Sequence, residues 1–283
     1  MDTRCLENRL TPFERDTFER DGYFVVKNAL ELDHVARLLA VLDRIEVEQR
    51  AMQGLGPNDK LAVLDFIGKD AEFVELVDWY KTFPKVWDIL GWNIQIYHSH
   101  LNVTPPQEAS NGQRDKGFGW HQDSARLNME LETSPRPRIS LKVAFFLTDC
   151  TEPDRGNFYV VPGSHLQDSI DLPDGDRRAE LQEGRAVLVP AGSAVFFDRR
   201  IWHSASANYW HEPRKVLFYG YSYRWLRPRD DMTVDLQDQR DPIRKQLFGA
   251  APTGGYGYTS PTPEDVPLRG WLEEHLGADE VMA

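Results

Sequence analysis

Apolar residues along the chain follow a helical period in its first third and a two-residue period afterwards. Between residues 31 and 50, Val35, Leu38, Leu39, Leu42 and Ile45 recur three and four apart, the stripe of an amphipathic helix that covers one sheet of a core. Ahead of it, Thr11-Pro12-Phe13-Glu14 has the form of a helix start, with a capping Thr, Pro in the first turn and Glu three residues past the cap. Gly22 closes that short helix, and Tyr23 to Val26 follow as a strand. Residues 53–60 hold two glycines and a proline and read as a loop. Helices are predicted over 71–80 and 83–90, the second ended by Gly91.

Alternation then takes over. Residues 93–103 form a strand, and 105–119 form a polar loop long enough to act as a lid. A second polar loop covers 126–138. Residues 139–148 alternate, with Leu141, Val143, Phe145 and Leu147 on one side, and shorter strands follow at 158–161, 186–189 and 194–197. Residues 214–225 read as one long strand. Many short strands with turn signals predict an antiparallel sandwich or barrel rather than βαβ units. The tail from Pro228 onward is polar, with a Gly/Thr/Pro-rich loop around 253–262 and a short helix near Trp271.

Composition narrows the class. At 283 residues, 41% hydrophobic and 28% charged, the chain is an ordinary globular protein with a sizeable core. A net charge of −12 argues against a nucleic-acid or anionic-membrane partner, since both need basic patches. It suits a neutral or cationic small-molecule substrate, and the oligomeric state is not readable. Two cysteines, Cys5 and Cys150, do not make a disulfide framework and fit a reducing cytoplasm. No leader-like or membrane-spanning apolar run is expected, and Val281-Met282-Ala283 is not a peroxisomal address.

The candidate chemistry lies in Trp120-His121-Gln122-Asp123. On an extended strand, His121 and Asp123 project from one face. With His203 they make two imidazoles and one carboxylate, the facial set that holds Fe(II) and leaves open positions for reactants. Zinc uses the same donors, and a buried hydrogen-bonding network is the plainer reading of an isolated His-x-Asp. Arg214 follows His203 by eleven residues, beyond a turn containing Pro213. A hairpin there brings its guanidinium to the metal as a receptor for a carboxylate, so that an oxoacid chelates iron with one end and is gripped at the other. An ordinary strand-end surface cation is the alternative.

In these residues the chain resembles the phytanoyl-CoA dioxygenase family of Fe(II)/2-oxoglutarate oxygenases. The likeness runs from about residue 10 to about residue 225. It is carried by Trp120–Asp123, by Gly156-Asn157-Phe158-Tyr159-Val160-Val161-Pro162-Gly163-Ser164-His165, by His203 with Arg214, and by the opening Leu10–Val26 stretch. It implies a double-stranded β-helix, or cupin-like jelly roll, in a mainly β protein with flanking α-helices. Residues 1–283 then form a single domain: a helical cover over about 10–91, the core over about 92–225 and an extension over about 226–283. It implies His121, Asp123 and His203 as catalytic metal ligands for Fe(II), with 2-oxoglutarate and O2 as cosubstrates and ascorbate as a stimulant. Arg214 takes the 2-oxoglutarate C5 carboxylate, and His100 and Thr104 are further cosubstrate contacts, Thr104 standing where many members carry Lys. Ala205 stands where a serine commonly helps to hold that carboxylate.

Trp120, Arg126, Asn128 and Met129 flank the metal segment, and His98 shares the face of His100, so these are candidate substrate contacts. Core packing for Trp120 and solvation for Arg126 are the bland alternatives. The expected reaction is oxidation of an unactivated C–H bond of a small molecule, most readily a secondary metabolite, with release of succinate and CO2. Hydroxylation, cyclisation and desaturation are not separated by the ligands. A non-catalytic jelly-roll sensor and a hydroxylase of a protein substrate are the rival classes.

Overall fold

The computed structural model describes residues 1–109 and 114–281. Part of the expected lid loop, and the end of the C-terminal Val281-Met282-Ala283 sequence, lie outside the described residues.

The N-terminal cover forms as its caps dictate. Helix α1 (Pro12–Asp21) starts on the Thr11/Glu14 capping box and stops at Gly22 in the left-handed region. Strand β1 (Tyr23–Val26) and helix α2 (Leu32–Gln53) follow. α2 buries Val35, Leu38, Leu42 and Ile45. Strand β2 (Leu61–Leu64) was not foreseen. Helix α3 (Ala71–Glu75) is half the length expected, and α4 (Phe83–Leu90) has its expected bounds.

Strand β3 (Ile94–Thr104) opens the core, and α5 (Ala125–Glu130) occupies what reads as a polar loop. After it come β4 (Ser140–Phe146), β5 (Phe158–Val160), β6 (Arg185–Val187), β7 (Ser193–Asp198), β8 (His203–Ala205) and β9 (Arg214–Tyr223). Helices α6 (Pro242–Leu247) and α7 (Pro267–Leu276) come last among the helices, α6 being, like β2 and α5, an element not foreseen.

Two antiparallel sheets face each other, as a jelly roll requires: β1-β7-β4-β9-β3-β2 and β6-β5-β8. β4 and β9 lie at the middle of the larger sheet and are buried on both faces. Leu141, Val143, Phe145, Leu217, Tyr219 and Tyr221 pack outward beneath the helices, whereas Ala144, Phe146, Val216 and Phe218 face the smaller sheet and meet Phe158, Val160 and Val187. The tail is less polar in effect than in composition. Ile243, Leu247, Phe248, Leu268 and Leu272 join the helix-side core. Among the described residues no helix is long and apolar enough to cross a membrane.

Candidate active site

Trp120–Asp123 does not form a strand. His121 makes one isolated bridge to His203, its N–H donating to the His203 carbonyl at 3.0 Å with the reciprocal bond at 2.9 Å. Asp123 is fixed by its own N–H, which donates to Arg199 O at 3.0 Å. Convergence therefore comes from docking against β8 and the 198–201 turn, not from strand alternation. The outcome is the cluster that the spacing suggests: one ligand atom each from His121, Asp123 and His203 lies within 4.8 Å of the others, and the two imidazoles are 4.3 Å apart.

Each donor is held from behind. His121 Nδ1 pairs with Gly119 O at 2.8 Å and His203 Nδ1 with Ile201 O at 2.9 Å. Both rings thus carry their proton on Nδ1 and present Nε2 as a lone pair, the arrangement that a metal ligand needs. Burial, reinforced by His121, pushes His203 down to about 3, so it is neutral near pH 7. Phe158 and Phe197 wall its ring at 5.4 and 5.2 Å. Burial opposes the charge on Asp123, but Lys142 and then His203 prevail and hold its carboxyl well below the usual range. Lys142 Nζ stands 2.9 Å from either carboxylate oxygen, with hydrogen-bond geometry to Oδ1 only; Oδ2 is buried and without a hydrogen bond.

Arg214 does not reach this cluster through a hairpin. β8 belongs to the smaller sheet, whereas β9 pairs with β3 and β4 in the larger one. The guanidinium therefore approaches from the opposite wall, lying 5.5 Å from the Phe146 ring centre. Gly156 makes room for it: a Cβ there would sit 3.1 Å from Arg214 Cδ, on a backbone whose φ of +68° already favours glycine. Arg214 is 3% exposed, has no acidic partner among the described residues, and leaves Nε unsatisfied.

A cavity of about 250 Å³ joins these groups, with walls that include His98, His100, Asn102, His121, Asp123, Lys142, His203, Arg214 and Arg229. His98 and His100 line it as proposed from sequence. His98 Nδ1 pairs with Asp230 at 2.8 Å, and His98 Nε2 with His100 Nδ1 at 3.1 Å. Gly220 lies between His98 and Lys142 in the strand register, where a Cβ would meet His98 O at 2.8 Å.

Five candidates fall outside the wall, among them Met129, whose side chain is exposed to solvent. Thr104 stands opposite Arg214 in register, but the cavity residues of β3 are His98, His100 and Asn102. Trp120 is fully buried among Phe118, Val161 and Trp202, with its indole N–H donating to Ala179 O at 2.9 Å; it packs the core. Arg126 is a surface cation paired with Glu130 at 2.7 Å. Asn128 is buried behind the site, donating to Asp123 O at 3.0 Å and accepting from Arg199, so it positions the Asp123 turn. Sequence reading missed Lys142, Asn102, Arg229 and Asp230. For Lys142 the signal was there: a lysine inside an otherwise apolar strand.

The phytanoyl-CoA dioxygenase (PhyH) family model matches residues 18–216. The ectoine dioxygenase of Stutzerimonas stutzeri is 30% identical over 237 residues, covering 74% of this chain and 75% of that protein. Among solved structures, HygX from Streptomyces hygroscopicus with nickel and 2-oxoglutarate bound superposes with a TM-score of 0.61 at 16% identity, covering 82% of this chain and 94% of that one. EctD from S. alaskensis in its apoform gives 0.60 at 19% identity, covering 80% and 87%.

Proposed function

Because the chain belongs to the phytanoyl-CoA dioxygenase family, and is thereby an Fe(II)/2-oxoglutarate-dependent dioxygenase, we propose that it oxidises an unactivated C–H bond of a compact small molecule. In this reading His121, Asp123 and His203 hold the iron, and Arg214 receives the distal carboxylate of 2-oxoglutarate. The observation that carries it is Arg214 itself: a buried, unpaired cation that opens onto the same cavity as the three donors. A buried charge is costly unless a partner arrives, and a dicarboxylate spanning the cavity is such a partner.

The donor set fits the metal, with two imidazoles that hold Nδ1 on backbone carbonyls and turn Nε2 to the cluster, and a carboxylate oxygen left unsatisfied. When bound, iron, 2-oxoglutarate and O2 supply the oxidising power that removes a substrate hydrogen, with succinate and CO2 as coproducts. The protein supplies position and dryness. Phe158 and Phe197 shield His203, Lys142 balances the Asp123 charge, and Arg214 fixes the orientation of the oxoacid through a rigid fork.

The cavity is far from acidic, whatever the sign of the whole chain. Its charged lining is Lys142, Arg214 and Arg229 against Asp123. A ferrous ion and a 2-oxoglutarate dianion cancel, so the excess positive charge remains for the substrate to meet. This supports a substrate bearing an acidic group, and its size suits a compact metabolite, including secondary metabolites. The test is an anaerobic titration with iron and 2-oxoglutarate, followed by a metabolite screen for substrate-stimulated succinate release. Expected is a stoichiometric ternary complex and stimulation by small carboxylates or phosphates. Stimulation by amines alone would overturn the substrate reading, and no succinate under any condition would overturn the reaction.

A further inference from the structure

We propose that His34, Glu72 and Glu75 form a second divalent-cation site, of the zinc type, on the helical cover and apart from the oxygen-activating centre. His34 lies in the first turn of α2, and Glu72 and Glu75 lie three apart on α3, a spacing that puts both carboxylates on one helix face. One ligand atom from each of the three residues lies within 4.8 Å of the others.

The imidazole is what makes this more than a pair of surface acids. His34 is 3% exposed, yet neither ring nitrogen has a hydrogen-bond partner, which is unusual for a buried polar group. Its Nε2 lies 3.6 Å from Glu72 Oε2, too far for a hydrogen bond. The nearest aromatic group does not satisfy it: Trp79 sits edge-on at 4.7 Å and spends its indole N–H on Ala29 O at 2.8 Å.

One imidazole and two carboxylates, with water completing a tetrahedron, form a donor set that zinc accepts; an all-oxygen set would point to calcium or magnesium. Arg37 Nε stands 3.3 Å from Glu72 Oε2 and serves as the outer partner that orients a ligating carboxylate. The site would clip α3, a helix of five residues and too short to persist alone, to the long α2.

The experiment measures zinc bound per full-length chain after equilibrium dialysis, together with thermal melting, for the wild type, Asp123→Ala and the double variant Glu72→Gln/Glu75→Gln. The two glutamates are not buried, so the double variant keeps the fold. Expected are two zinc ions in the wild type and one in the double variant, whose iron-dependent succinate formation is unchanged. Asp123→Ala should still bind zinc with a rise in melting temperature, and adding the glutamine pair should abolish that rise and weaken the remaining zinc at least tenfold. Two ions retained by the double variant, or a wild type that binds one ion and loses it with Asp123→Ala, would overturn the site.

Discussion

The two walls of the cavity are built differently. The larger sheet has strands of up to eleven residues, and its central pair is buried on both faces. The smaller sheet has strands of three residues each, too short to be stable by backbone pairing alone. It is held by Phe158, Val160 and Val187 packing across the interior, and by side-chain bonds into its connecting loops, such as Ser164 Oγ accepting from Trp202 N–H at 2.9 Å. His203 and, bridged to it, His121 belong to this smaller wall; Lys142 and Arg214 belong to the larger one. His121 and His203 thus sit where loops can shape them, while Lys142 and Arg214 are set on the rigid wall opposite.

The largest expected effect breaks the smaller wall's chemistry without touching its fold. Asp123→Ala should lower iron-dependent succinate formation by more than the ~100-fold that loss of an outer-shell partner costs, with far-ultraviolet dichroism unchanged. Retained turnover would remove Asp123 from the ligand set. On the larger wall, Arg214→Met should raise the 2-oxoglutarate KM by about 100-fold, about two charge-assisted hydrogen bonds lost. Its melting temperature should hold or rise, because an unpaired buried cation is replaced by an apolar chain. A lower melting temperature with unchanged KM would make Arg214 a structural residue.

Legibility in the sequence follows the same division. The long elements announced themselves: α1 by its capping box, α2 by its apolar stripe, β4 and β9 by alternation. Elements that depend on partners did not. β2 is set by edge pairing of Leu61–Leu64 with β3, and α6, in a polar tail, itself buries only Ile243, Gln246 and Leu247. The order His203, turn, Arg214 suggests a hairpin because sequence neighbours usually pair, yet the turn carries the chain from one sheet to the other. The cluster of His121, Asp123 and His203 was legible because the identity of each side chain is local. The Asp230 partner of His98 was not, since it comes from 132 residues away and only the folded chain joins the two.

Beside the site, the larger wall is pinned to the cover by an ion network. Asp198 is fully buried and accepts from Arg200 at 2.7 Å and Arg138 at 2.8 Å. Asp198→Asn should cost about 3–5 kcal/mol, the range for breaking a buried pair. Burial opposes the charge on Asp198, but Arg200 and Arg138 outweigh it and depress its folded value. Its contribution is therefore fully present above the unfolded value of about 3.9 and fades as pH falls through the folded one. The gap between wild type and variant in urea unfolding should be wide at pH 7 and narrow well below pH 4; an equal gap at both would mean that its charge is not what stabilises.

The smallest effect tests whether the two faces of one strand act independently. Tyr219 points away from the cavity, its hydroxyl donating to Phe73 O at 2.8 Å and its ring meeting Phe66 and Phe145 edge-on at 5.4 and 5.5 Å. Tyr219→Phe keeps the ring and removes one buried hydrogen bond, so stability should fall by about 1 kcal/mol. Arg214 and Phe218 lie on the opposite face of the same strand, and a side chain's face is fixed by its position parity. The 2-oxoglutarate KM should then stay where it was. A shift in KM would show that β9 transmits packing changes from the helical cover to Arg214, and the rigid wall would have to be redrawn as a coupled one.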